Sequence, residues 1–237
     1  MNLAIFTDPT NANLLAPILR KHSKDISVLF VFELPAPAVP AQGVYFFSAQ
    51  SDRNYTFLAE HHIDCVLVYG WNHKLPLELV THIPCYNIHP SLLPKYRGPV
   101  PAIFQLLNRE EISGVTIHKM DGGFDTGDIY RQKGFRLAVD ETLQTLNMKI
   151  TRCAFHLINM LLEDLIHLRV ELHPQEESQA SYYSYRDLEQ YIVTDNSGTG
   201  LQEEQSEMIP YQLGERIVYL KRKNGTDGSE SIKEMRR

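Results

Sequence analysis

Near-continuous apolar runs recur along the first half of the chain, at residues 2–7, 26–32, 64–70 and 84–88, with a shorter run at 44–47. Runs of four to seven apolar residues bounded by turn signals predict buried strands. Between them, residues 12–22, 54–62 and 75–80 carry apolar positions at helical spacing. In the first of these the positions are Leu14, Leu15, Ile18 and Leu19. A cap at Thr10 or Asn11 is expected to start that helix. Buried strands alternating with helices predict an α/β fold, a mostly parallel twisted sheet with helices on both faces. Further on, 101–108 reads as a helix. Residues 114–120 and 129–135 read as strands joined as a hairpin, and 141–168 as a long amphipathic helix with Leu143, Leu146, Ile150, Phe155, Ile158 and Leu162 on its apolar face.

The pattern weakens after His173. Residues 175–180 are polar, Tyr182, Tyr183, Tyr185 and Tyr191 form an aromatic cluster, 194–208 read as a polar loop, and 216–220 as a late strand. The expected organisation is therefore a main domain over 1–175 and a short extension over 176–237. That extension carries a candidate dimer contact and a charged, mobile tail beyond 221.

The 237 residues suffice for one sizeable core. A hydrophobic share of 43% and a charged share of 22% are those of an ordinary water-soluble protein. No apolar run reaches membrane-spanning length and the first strand begins near Met1, so a cytoplasmic protein without a membrane partner is expected. A net charge of −6 argues against a general nucleic-acid binder. Cys65, Cys85 and Cys153 read as buried thiols. His61 and His62 lack a companion set of ligands at metal spacing, and no metal is expected.

Candidate chemistry concentrates in 86–98 and 121–128. Asn87 and His89 alternate with Ile88 at the end of a predicted strand, so they share one face. An amide that donates to an oxyanion and an imidazole that moves a proton together suit carbonyl chemistry. Asp125, 38 positions after Asn87, lies in a loop of three glycines and three aspartates within 121–128 and is the third candidate. The loop has the freedom to bring backbone close to a ligand. Residues 71–74 and the segment from His89 onward each follow a strand, at the sheet edge where ligands bind in this class of fold.

The segments Asn87-Ile88-His89-Pro90-Ser91-Leu92-Leu93-Pro94-Lys95-Tyr96-Arg97-Gly98 and 114–129 together resemble the formyltransferases that use 10-formyltetrahydrofolate. The resemblance covers about residues 1–170 and is strongest over 64–130. It implies catalysis by Asn87, His89 and Asp125. It also implies a folate pocket formed by Trp71, His73 and Leu75 with Met120, Gly122, Gly123 and Phe124. Ser91, Lys95, Tyr96 and Arg97 would shape the acceptor side, with Lys95, Arg97 and Asn11 as phosphate candidates. Within the family the chain looks most like the sugar N-formyltransferases. That implies a nucleotide-linked amino sugar, dTDP- or UDP-bound, as acceptor, a place in polysaccharide assembly, and a homodimer. Glycinamide ribonucleotide, methionyl-tRNA and a catalytically silent folate-binding role remain alternatives.

Overall fold

A computed structural model of the chain describes residues 1–33, 44–47, 53–193, 208–213 and 216–221. The expected loop at 34–42, most of that at 194–208 and the expected tail lie outside them. The main sheet has seven strands: β1 Asn2–Phe6, β2 Ser27–Glu33, β3 Val44–Phe47, β4 Cys65–Val68, β5 Cys85–His89, β6 Ile112–Lys119 and β7 Ile129–Arg136. Their spatial order is β3-β2-β1-β4-β5-β6-β7. The strands β1 to β5 pair in parallel, while β6 and β7 join antiparallel, so the mostly parallel sheet ends in the expected hairpin.

The continuous apolar runs have a direct cause: both faces of the sheet are covered. Leu3 and Ile5 of β1 enter one core with α1 (Pro9–Lys21), α4 (Pro101–Leu107) and α5 (Leu143–Ile166). Ala4 and Phe6 enter a second core with α2 (Arg53–Glu60) and α3 (Leu77–His82). The long helix α5 starts at the Thr142 cap, whose hydroxyl accepts from Thr145 N. The three cysteines are buried and free, and burial pushes the Cys85 thiol up to about 12.

Two local expectations are corrected. The cap of α1 is Asp8, whose carboxylate accepts from the amides of both Thr10 and Asn11. A carboxylate there also sits favourably against the positive end of the helix. The C-terminal region holds more structure than one late strand. After the short helix α6 (Tyr185–Glu189) come β8 (Ile192–Val193), β9 (Met208–Leu213) and β10 (Arg216–Lys221), a three-stranded sheet in the order β8-β10-β9. Two strand residues in β8 and a proline in β9 leave little period to read. Leu188, Ile209 and Leu220 pack into the same core as α4 and α5.

Candidate active site

The order of the sheet reverses between β1 and β4, and the loops after these strands part there. A cavity of about 1140 Å³ opens at this edge. Thr7 Oγ1 donates to Tyr69 O at 2.7 Å and ties the two loops at its root. Asn11, Trp71, His73, Met120, Gly123 and Phe124 line the cavity, and Asn87, His89, His118 and Asp125 form a polar cluster in its wall.

That cluster is assembled by strand register. Asn87 and His89 leave the same face of β5. Across the ladder His118 of β6 pairs opposite Asn87. The β6–β7 register shifts between Ile117 and His118, an irregularity of the kind that re-aims a side chain beside a site. The glycine-rich loop then returns Asp125 to the cluster. A Cβ at Gly127 would collide with the Lys119 carbonyl oxygen, so the return depends on glycine there.

Asp125 is the hub. Asn87 Nδ2 donates to its Oδ1 at 3.2 Å and the Gly98 amide to its Oδ2 at 2.8 Å. His118 Nε2 lies 3.3 Å from Oδ1 and His89 Nδ1 3.6 Å from Oδ2. His89 Nε2 is 2.7 Å from Tyr96 O, and a carbonyl only accepts. The proton of the neutral ring therefore sits on Nε2, which leaves Nδ1 as the basic nitrogen, facing Asp125. Burial lowers the pKa of His89; Asp125 offsets only part of that, and His118 adds to it. Burial by itself would raise the carboxyl of Asp125. The charges of His89 and His118, with the hydrogen bonds from His118 and Gly98, outweigh it and hold the group well below the usual carboxylate range. At neutral pH the pair is thus a neutral imidazole beside a carboxylate.

The other expected site residues divide. Trp71 packs edge-on to Phe6 and to His73, and His73 Nε2 lies 2.6 Å from Glu33 Oε1. Phe124 is half exposed, with Lys74 Nζ above its ring. Leu75 is in the core and Gly122 presents its carbonyl to Lys74; neither lines the cavity. On the expected acceptor side, Asn11 lines the cavity, but its amide nitrogen is held by Asp8 Oδ2. Ser91 is buried and donates to Lys95 O, and Tyr96 is buried with its hydroxyl on Glu110. Arg97 is buried as well, its guanidinium bonded to Gln175 and Glu177. Ser91, Tyr96 and Arg97 thus build the turn and do not face the cavity, and the exposed Lys95 lies outside its wall. Arg97 was expected to contact phosphate; in the structure its guanidinium is occupied by Gln175 and Glu177. Sequence reasoning missed His118 and Gln175. For His118 the alternation of 114–120 was a signal, but its place opposite Asn87 needed the register.

A model of the family described as formyl transferase matches residues 4–160. The methionyl-tRNA formyltransferase of Thermotoga maritima is 38% identical over 140 residues, 58% of this chain and 44% of that protein. The same enzyme of Kosmotoga olearia is 34% identical over 138 residues, 57% and 44% of the two chains. The chain thus spans less than half the length of these curated relatives. Among solved structures, a 4-N formyltransferase from Francisella tularensis has a TM-score of 0.74 at 19% identity, covering 95% of this chain and 98% of that one. A sugar N-formyltransferase from Shewanella has a TM-score of 0.73 at 19% identity, with 95% and 99% covered. These structures share the fold, and the match of the family model over 157 of 237 residues (4–160) decides the family: the chain belongs to the formyl transferases.

Proposed function

We propose that the protein transfers a formyl group from 10-formyltetrahydrofolate to the primary amine of a nucleotide-linked amino sugar. The observation that carries the chemistry is the cluster of Asn87, His89, His118 and Asp125 in the cavity wall. The folate would supply an electrophilic formyl carbon. The cavity fits such a co-substrate: its apolar wall at Val68, Ile88 and Met120 suits a flat ring.

The roles follow from position. As an amine attacks the formyl carbon, negative charge grows on the formyl oxygen. Asn87 Nδ2, which gives one N–H to Asp125 and lies 3.3 Å from His118 Nε2, would turn its other N–H to that oxygen. Loss of one such donor typically costs about 3 kcal/mol in the barrier. His89 would take the proton shed by the amine on Nδ1 and pass it to the folate nitrogen that carried the formyl group as that carbon–nitrogen bond breaks, so that tetrahydrofolate leaves as the neutral amine. The imidazolium so formed is stabilised by the Asp125 carboxylate at 3.6 Å, while Tyr96 O keeps the ring in place. His118 and the Gly98 amide hold that carboxylate ionised.

The sugar acceptor is supported by extent of likeness. The two structures above correspond to 95% of this chain and to 98% and 99% of their own. A formyltransferase from Anoxybacillus kamchatkensis was solved with a UDP-linked 4-formamido sugar and tetrahydrofolate. It has a TM-score of 0.62 and covers 85% of this chain. The second reading, methionyl-tRNA, is favoured by the higher sequence identity of those relatives. The test is formyl transfer to dTDP- and UDP-linked amino sugars beside methionyl-tRNA and glycinamide ribonucleotide, read by mass. A gain of one formyl group on a nucleotide sugar is expected. Transfer to methionyl-tRNA alone, lost steeply with added salt, would replace the acceptor and keep the chemistry. The enzyme is further proposed to act as a homodimer, to be checked by light scattering.

A further inference from the structure

Three non-glycine residues around the site hold left-handed backbone: Tyr96 (φ 62°), Val100 (φ 54°) and Asp125 (φ 55°). Such conformations persist where surrounding structure over-determines them. Two of the three set the polar cluster directly, since Tyr96 O fixes His89 and Asp125 carries the carboxylate. Part of what holds both lies beyond the residues matched by the family model, in 173–183. That stretch is pinned at one end by paired backbone bonds between His173 and Ile129. At the other end Arg97 N donates to Ser181 O at 2.9 Å, Tyr183 N to Arg97 O at 3.0 Å, and Tyr96 N to Ser181 Oγ at 2.9 Å. A Cβ at Gly98 would collide with the Tyr183 carbonyl oxygen, so the approach is close.

Gln175 sits in the middle and joins the two turns. Its Oε1 accepts from Arg97 Nε at 3.2 Å and Nη2 at 2.8 Å. Its Nε2 gives one proton to Asp125 O at 2.8 Å and the other to Gly127 O at 2.7 Å. Both donors of the amide are therefore spent on the Asp125 turn and its acceptor on the Arg97 turn. Glu177 neutralises Arg97 from the solvent side. No other uncharged side chain of this length both donates and accepts in this way. Glutamate would keep the bond to Arg97 and lose both donors, and methionine would lose everything but the shape.

We propose that residues 173–183 form a positioning strap for formyl transfer and that Gln175 is its positioning residue. The amide holds the Tyr96–Gly98 turn and the Asp125–Gly127 turn at one separation, so that His89 and Asp125 stay paired. This rests on the catalytic reading given above. Gln175 touches no reacting atom; it acts on the rate through the placement of Asp125.

The test compares the full-length wild type with Gln175→Glu and Gln175→Met. Two readouts are needed: steady-state kinetics for both substrates, and NMR titration of the His89 ring, which requires no acceptor. A loosened Asp125 should lower kcat roughly 10- to 100-fold, because small misplacements near reacting groups carry that cost. Both KM values should stay within about threefold, since uniform binding is untouched. In Gln175→Met, which adds no charge, the His89 pKa should fall further below that of the wild type. Asp125 is the carboxylate that faces this ring, from the 121–128 loop; His118 faces it from β6 and the Tyr96 carbonyl from the 96–98 turn. Folded variants with wild-type kcat and an unmoved His89 titration would overturn the proposal. So would a raised KM at unchanged kcat, or a loss that only follows the folded fraction. Should both variants fail to fold, Ser181→Ala removes just the acceptor of the Tyr96 amide. A lowered kcat with a shifted His89 supports the strap, and an unchanged enzyme sinks it. If the wild type formylates no acceptor, the catalytic reading fails while the His89 titration still decides what the strap does.

Discussion

At the scale of single residues, the site depends on two neighbouring groups, one held ionised and one held neutral by their surroundings. Asp125 receives two N–H donors and faces two imidazoles, and His89 is buried with its tautomer set by one carbonyl. Asp125→Asn keeps the volume and removes the charge that stabilises a protonated His89. It should fold normally and lower kcat by roughly 100-fold or more, the usual weight of an acid–base partner; a rate within about threefold of wild type would exclude the mechanism. The pH dependence has a fixed sign. The reaction uses the unprotonated Nδ1, so kcat/KM should fall as pH drops through the native pKa of His89, below its ordinary value near 6.5. Stability follows the same groups. The unfolded ring takes a proton near 6.5 while the folded ring stays neutral to lower pH, so its contribution is complete above 6.5 and is lost as pH falls below that. Asp125 adds a second loss below about 3.8, where the unfolded carboxyl protonates first. Denaturation midpoints measured down this range should step twice, and His89→Gln should flatten the upper step.

At the scale of elements, the return of the 121–128 loop is what converts two strand residues into a site. Its tightest point is Gly127, beneath the Lys119 carbonyl. Gly127→Ala forces that backbone apart and should cost about 1–3 kcal/mol, in the range of overpacking changes. The expected readouts are a melting temperature lower by roughly 3–10 °C and a weakened Asn87–Asp125 contact, seen as lost turnover. An unchanged melting temperature would show that the loop yields freely. The cap at Asp8 is a second element-scale device. Asp8→Ala removes the acceptor for two amides, and a stability loss of about 1 kcal/mol is expected in urea titration.

At the scale of the whole molecule, two cores sandwich one sheet, and the C-terminal elements close over the first of them. Leu188 of α6 is 3% exposed and belongs to the core built on α4 and α5. If the extension beyond 175 is a satellite, Leu188→Ala should leave the main melting transition in place. If it is part of the core, as this packing suggests, the substitution should lower a single transition by about 2–4 kcal/mol. Calorimetry distinguishes the outcomes, and two separate transitions would count against the shared core.

Much of this was legible before any coordinates. The apolar runs announced a covered sheet because strands buried on both faces have no polar side to show. Asn87 and His89 were readable as neighbours because the period of a strand is two. Asp125 stood out through the glycines around it. What the sequence could not express is register and return. His118 joins the site only because antiparallel pairing sets it opposite Asn87. Arg97 was a phosphate candidate and is a buried tie, because Gln175 and Glu177, about 80 residues on, reach back to it. Of the small sheet β8-β10-β9 only β10 was read, as the strand at 216–220, because β8 has two residues and β9 carries a proline. Local chemistry is written in nearest-neighbour patterns, so the chain by itself determined the layered fold and the two residues that open the site. Contacts between distant segments depend on how the whole sheet and its loops close, and only the tertiary structure decided which side chains complete that site and which merely hold it.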